Sequence, residues 1–383
     1  MCVILVYGER MNKNWIKVIL IIIIITVIGL LLYNSNMFKL SNYNNYENNN
    51  ETQLNIQEGN NDEIQLNIQE ENNNQINIEN NIVIQKNNLV SYNGALRIEN
   101  NTLVNSKGEK IQLKGISTHG IQWYGEYAND NVMRTLRDDW GANLFRIAMY
   151  TNEGGYLQDR SIKNKVYEIA DIAIKLDMYV IIDWHILRDN NPLQYTNEAK
   201  EFFEEMSLKY SDTPNVIYEI CNEPNGDITW KDNIKPYAED VIATIRKNSS
   251  ESIIIVGTGT WSQDIDKAAK NPINDKNVMY ALHFYSGTHT EWLRERANEA
   301  LKSIPIFVSE WGVSDASGNG GVYLEEAKKW VEFMKENNIS WANWSLCDKD
   351  ESSALLLPNT PKDDISDKYL SESGKFVKEA MKD

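Results

Sequence analysis

The chain has 383 residues and a formal net charge of −17, from 38 Lys and Arg against 55 Asp and Glu. So acidic a balance argues against a protein that binds nucleic acid by neutralising phosphates, and it fits a well-hydrated surface. The length allows about two domains, or one large α/β barrel with additional segments, since such a barrel alone takes about 250 residues.

In chain order, the first distinct stretch is 18–33, almost purely aliphatic and broken only by Thr26 and Gly29, with Lys13 and Lys17 just before it. A span usually needs about 20 residues, and Trp15 and Met37-Phe38 can extend this one at the interfaces. No small-x-small cleavage site follows, so residues 1–40 are expected to be an uncleaved membrane anchor, with a cleaved signal segment as the alternative. The basic residues put the amino terminus inside and the rest extracytoplasmic. Met11 opens a conventional n-region, which makes 1–10 read as an over-long start.

Residues 41–88 are rich in Asn, Gln and Glu and contain near repeats, Gln53-Leu54-Asn55-Ile56-Gln57-Glu58 and Gln65-Leu66-Asn67-Ile68-Gln69-Glu70 among them. They hold too little apolar surface for a core and read as a low-complexity polar tether. From residue 89 the composition becomes that of a folded domain, 89–383. A hairpin is expected first, with turn chemistry at Asn93-Gly94 and Ser106-Lys107-Gly108.

Strand-like and helix-like stretches then alternate. Strands read at 111–116, 143–150, 179–185, 215–222, 252–257, 278–285, 305–310 and 340–346. Amphipathic helices fall near 129–139, 161–176, 197–209, 234–247, 262–270, 291–302, 323–337 and 367–381. Eight strand–helix units predict a closed parallel (β/α)8 barrel, the TIM barrel; an open doubly wound sheet is disfavoured because no glycine-rich phosphate turn follows the first strand.

Active sites of this fold lie at the carboxyl ends of the strands. Two apolar strands run into glutamates there, at Asn222-Glu223-Pro224 and at Ser309-Glu310-Trp311-Gly312. Alone, a strand-end Glu is an ordinary loop carboxylate. Together, two of them supply the acid and the nucleophile or base that glycoside hydrolysis needs. The same face collects His119, Trp123, Arg146, Tyr150, His185, Trp261, His283, Tyr285 and Trp344, with Lys349 and Glu351 beyond. Any one of these has a packing explanation, but three of only four histidines converge at strand ends. The spacing lacks His-x3-His or Cys-x2-Cys metal sets. The 11 Trp and 19 Tyr of the chain suit a sugar-binding groove, since sugar rings present apolar faces to aromatics. Cys2, Cys221 and Cys347 form no even-numbered framework.

These motifs, in order, make residues 86–383 resemble glycoside hydrolase family 5, most closely its bacterial endo-β-1,4-glucanases. The resemblance rests on Ser117-Thr118-His119-Gly120-Ile121-Gln122-Trp123, Phe145-Arg146-Ile147-Ala148-Met149-Tyr150, Asp183-Trp184-His185, Asn222-Glu223-Pro224, His283-Phe284-Tyr285, Ser309-Glu310-Trp311-Gly312 and Trp344-Ser345-Leu346. It implies that Glu223 is the acid/base and Glu310 the nucleophile. Asn222 would bond the sugar 2-hydroxyl, and Arg146 and Tyr285 would hold Glu310. His119, Tyr150, His185 and His283 would line the site, with Trp344 beneath the reacting ring. Trp123, Lys349 and Glu351 would grip sugars toward the non-reducing end, and Trp261 would be a leaving-side platform. The chemistry agrees. Glu310 must be ionised to attack, which Arg146 and Tyr285 favour, and Glu223 must start protonated.

The expectation is a monomeric retaining endoglucanase acting on β-glucan without a cofactor. The alternatives are a mannanase or xylanase of the same fold, or a non-catalytic surface glycan binder.

Overall fold

The computed structural model describes residues 89–211 and 213–382. The expected anchor at 1–40 and tether at 41–88 lie outside the described residues. Among those described, no helix is long and apolar enough to cross a membrane.

Eight parallel strands close into a barrel: β1 (Lys114–Thr118), β2 (Leu144–Tyr150), β3 (Tyr179–His185), β4 (Val216–Glu219), β5 (Ile254–Val256), β6 (Val278–Tyr285), β7 (Ile306–Gly312) and β8 (Trp341–Leu346). They are hydrogen-bonded in sequence order, and β8 closes on β1. The helices outside are α1 (Asp130–Asp138), α2 (Lys163–Lys175), α3 (Thr196–Lys209), α4 (Lys235–Arg246), α5 (Ile265–Lys270), α6 (Glu291–Ala300), α7 (Leu324–Glu336) and α8 (Glu372–Ala380).

Each strand is buried on both faces, which is why it reads as an apolar run, yet its two faces do different work. In β2, Phe145, Ile147 and Met149 pack outward against the helices, while Leu144 faces the barrel interior. The interior cluster includes Tyr179, Ile181, Ile217, Ile255, Met279 and Phe307, and it is joined by Leu103 of the amino-terminal hairpin and by Leu96 just before that hairpin. Burying each such side chain contributes roughly 1.5–3 kcal/mol. At the opposite end Ala148, Tyr150, Tyr285 and Trp344 form a separate small cluster at the mouth.

Several boundaries differ from the sequence reading. The hairpin strands are Arg97–Glu99 and Thr102–Val104, and they turn at Asn100-Asn101, both with positive φ, rather than at Asn93-Gly94. Two consecutive asparagines tolerate the left-handed backbone that such a turn requires. β4 ends at Glu219, so Asn222 and Glu223 stand in the segment after it. Their backbone is still held: Ile220 N–H donates to Ile255 O, Asn222 N–H to Trp184 O and Glu223 N–H to Ile186 O. α5 starts at Ile265 because Thr260, Trp261 and Ser262 all have left-handed φ, so no continuous helix can pass through them.

One irregularity decides the site. Ala281 pairs with Phe307 and His283 with Glu310, so β7 carries one more residue than β6 over this stretch. The pairing with β8 shifts in the same place, between Val308 and Trp311. Strict alternation from Phe307 would send Ser309 inward and Glu310 outward toward the helices. The bulge resets the alternation: Glu310 reaches the mouth, and Trp311 packs in the outer core.

Candidate active site

The carboxyl face opens into a cleft of about 1140 Å³. Of the fourteen side chains expected at the site, His119, Trp123, Tyr150, His185, Glu223, Trp261, His283, Tyr285, Glu310, Trp344, Lys349 and Glu351 line it. Arg146 and Asn222 are buried beneath this lining, where they hold the others in place.

Arg146 is fully buried and is the hub of the floor. Its Nε donates to Glu219 Oε2 at 2.7 Å, and Nη1 donates to Glu310 Oε2 at 3.3 Å and to Ser117 Oγ at 3.2 Å. Nη2 donates to Asn222 Oδ1 at 2.6 Å and lies 3.0 Å from Asp183 Oδ2. Burial works against the guanidinium charge, but Asp183, Glu219 and Glu310 outweigh it and push the Arg146 pKa up. Burial likewise opposes ionisation of Glu219, yet Arg146 and His283 hold that carboxyl at about 2. Tyr285 completes the grip on Glu310 by donating its hydroxyl to Oε1 at 2.7 Å. Burial and the Glu310 charge raise its pKa well above the usual value, so it stays a donor. Gly312 makes this approach possible, because a Cβ there would sit 2.6 Å from the Tyr285 ring.

Glu223 is anchored differently. His283 Nδ1 lies 2.9 Å from Glu223 Oε1, and its Nε2 lies 2.9 Å from Ser309 Oγ, which donates to Glu219 Oε1 at 2.6 Å. Burial disfavours the imidazolium, but the Glu219 carboxylate, 3.8 Å from Nε2, and the hydrogen bond to Glu223 prevail and raise the His283 pKa to about 9. His283 therefore carries hydrogens on both nitrogens at neutral pH. Behind Glu223, Asn225 Nδ2 donates to the Glu223 and Leu187 carbonyls and fixes the backbone.

His185 stays neutral, since burial and Arg146 depress its pKa to about 3. Asn222 Oδ1 accepts from Arg146, so its Nδ2 donates, to Ile186 O at 3.1 Å and to His185 Nε2 at 3.3 Å. That assigns the remaining proton to His185 Nδ1, which donates to Asp183 Oδ2 at 2.6 Å. His119 is also held at about 3 by burial and by Lys349. Trp344 stacks on the His185 ring at 5.2 Å, and Trp123 meets Tyr150 edge-on at 5.0 Å. Lys349 and Glu351 pair at 2.6 Å at the rim.

Glu223, His283 and Glu310 each offer an atom within 4.8 Å of the other two. That triplet has the donor chemistry for a metal. However, Arg146 and Tyr285 already engage Glu310, and both His283 nitrogens are bonded. A cation there would face a fixed guanidinium, so the donor set fits paired carboxylate chemistry better.

Sequence reasoning missed Glu219, Ser309 and Asp183 as the charged and polar support beneath the cleft, and it missed His289, which lines the wall and accepts the Tyr285 N–H. Glu219 was detectable in principle: a carboxylate inside an apolar strand must find a buried partner.

The comparisons agree with this geometry. Residues 104–350 match the family described as cellulase, glycosyl hydrolase family 5. The chain is 57% identical over 279 residues to Endoglucanase A of Evansella cellulosilytica, covering 72% of this chain and 57% of that protein. It is 56% identical over 282 residues to an endoglucanase of Clostridium saccharobutylicum, covering 73% and 63%. The chain thus spans less than two thirds of the length of these two relatives. Among solved structures, the catalytic domain of Thermobifida fusca endoglucanase Cel5A superimposes with a TM-score of 0.74 at 35% identity, covering 77% of this chain and 99% of that one.

Proposed function

The chain belongs to the cellulase family, glycosyl hydrolase family 5, and from that premise we propose that it is an endo-β-1,4-glucanase that cleaves internal glucosidic bonds with retention. The observation that carries this reading is the pair Glu223 and Glu310, which offer carboxylate oxygens within 4.8 Å of each other in a cleft walled by Trp123, Trp261 and Trp344. Retaining glycosidases place their carboxyl groups about 5–5.5 Å apart, whereas inverting ones need about 6.5–9.5 Å to admit a water between them.

In the first step Glu310, held ionised by Arg146 and Tyr285, attacks the anomeric carbon. The glycosidic bond breaks, and the proton of Glu223 passes to the departing oxygen. The covalent ester removes the Glu310 charge. Glu223, now a carboxylate, takes a proton from the incoming water, whose oxygen displaces Glu310 and restores both groups. His283 donates to Glu223 Oε1, which leaves Oε2 to carry the proton. Asn222 Nδ2, just beneath the lining and with its longer contact to His185 at 3.3 Å, is the proposed donor to the sugar 2-hydroxyl. No step calls for a cofactor.

One chain is the active unit in this reading, because every side chain given a role belongs to the same cleft or its floor. The domain works outside the membrane, tethered by 18–33 and 41–88; support for this is the aliphatic run with Lys13 and Lys17 before it. Reducing-sugar release from carboxymethylcellulose, mannan and xylan, measured in parallel, tests the substrate. The glucan is expected to be the preferred one by more than an order of magnitude, and mannan or xylan in its place would refute the assignment.

A further inference from the structure

Among the described residues, seven of the ten tryptophans are at most 6% exposed: Trp140, Trp184, Trp230, Trp311, Trp330, Trp341 and Trp344. The other three, Trp123, Trp261 and Trp292, are 48%, 46% and 42% exposed. Two of these line the cleft. The third, Trp292 in the first turn of α6, has no part in the site described so far. A single exposed apolar side chain is ordinary on a protein surface, but an aromatic ring beside a binding groove presents an apolar face on which a sugar ring can stack.

The surroundings of Trp292 place it on one side of the cleft. Its ring lies 5.9 Å from that of His289, which is a wall residue. The guanidinium of Arg296 sits 5.3 Å from the indole centroid. Arg296 Nη1 in turn donates to the carbonyl of Gln263, a second wall residue, and to Asp264 at 3.2 Å. Trp292 therefore backs onto the wall that Gln263 and His289 make between the loops after β5 and β6. That wall is on the side of the proton donor, because Trp261 N–H bonds the carbonyl of Pro224, next to Glu223. A group beside the proton donor faces the leaving portion of the substrate.

We infer that Trp292 is a further sugar-stacking platform, beyond Trp261, for the distal glucosyl units of the leaving portion of a β-1,4-glucan chain. Arg296 braces one face of the indole by a cation–π contact, and the ring remains 42% exposed. The inference rests on the proposed glucanase activity and deepens it: the leaving side would hold more than one sugar, which favours cleavage within long chains.

Two readouts on the full chain test it. First, kcat/KM for cellohexaose is compared with that for an aryl β-cellobioside, whose leaving group is too short to reach Trp292. W292A is expected to lower the ratio roughly 3- to 10-fold, the scale of one aromatic contact, and W292F to restore most of it. Second, with cellohexaose labelled at its reducing end, W292A is expected to shorten the labelled fragment, since bound registers with a long leaving portion lose their support. A ratio and a fragment pattern unchanged in W292A, or equal losses on both substrates, overturn the platform. Thermal melting of both variants identifies any loss due to misfolding, and W292F then carries the comparison. A parent protein that releases no sugar from any β-1,4-glucan instead defeats the glucanase reading itself, and the platform with it.

Discussion

His283 joins Glu223 to the buried floor: one ring nitrogen lies 2.9 Å from Glu223 Oε1 and the other 2.9 Å from the Ser309 hydroxyl that donates to Glu219. Since Glu219 also binds Arg146, and Arg146 binds Glu310, the two cleft carboxylates are linked by an unbroken chain of hydrogen bonds. The charge of His283 is part of that chain. Its pKa is raised to about 9 in the folded protein against about 6.5 when unperturbed. A raised value contributes stability that is fully present below about pH 6.5 and is lost as the pH climbs through about 9. Thermal stability is therefore expected to decline between about pH 6.5 and 9, and H283Q is expected to flatten that decline. A wild-type melting profile that is level across this window would contradict the assignment of the proton.

Removing the proposed proton donor should hurt in proportion to the leaving group. E223A is expected to lower hydrolysis of polysaccharide by about three orders of magnitude or more, because a sugar leaving group needs a proton. The first step with an activated aryl cellobioside should suffer far less, and added azide should yield a β-glycosyl azide. Equal losses on both substrates would argue that Glu223 is not the acid.

Arg146 contacts Glu219, Glu310, Asp183 and Asn222 from a site without solvent access. R146A leaves several buried acceptors uncompensated, and breaking a buried pair this way costs about 3–5 kcal/mol. The variant is expected to melt well below the wild type and to lose at least two orders of magnitude in kcat. Urea unfolding and turnover on carboxymethylcellulose check the two effects separately. An R146A protein as stable and as active as its parent would remove the hub from the mechanism.

The separation of Glu223 and Glu310 makes a stereochemical prediction. Proton NMR of the first products from a soluble cello-oligosaccharide is expected to show the β-anomer before mutarotation. An α-anomer appearing first would falsify direct attack by Glu310.

The tether is tested by fractionation. Full-length protein is expected to sediment with membranes, and a chain of residues 86–383 is expected to stay in solution with full activity. Full-length protein released into the medium after trimming near residue 35 would replace the anchor with a signal peptide.

Most of the barrel was legible in the residue order, because strands buried on both faces are written as apolar runs and their ends as abrupt polar or aromatic breaks. That is how 179–185 and 278–285 read correctly to the residue, and how Glu223 and Glu310 stood out. Local pattern also named the aromatic lining, since position at a strand end is a local property. It did not say which way Glu310 points: the alternation from Phe307 argues for the wrong face, and only the extra residue in β7, seen against its neighbours β6 and β8, turns the carboxylate inward. Nor did it supply the support under the site, where Arg146 meets a partner 164 residues away and Ser309 one 90 residues away. Pairings of that span are set by barrel closure. The spacing of the two carboxylates, the double bonding of His283 and the place of Trp292 beside the leaving-side wall follow from the closed fold, because each is a distance between strands or loops that no run of consecutive residues encodes.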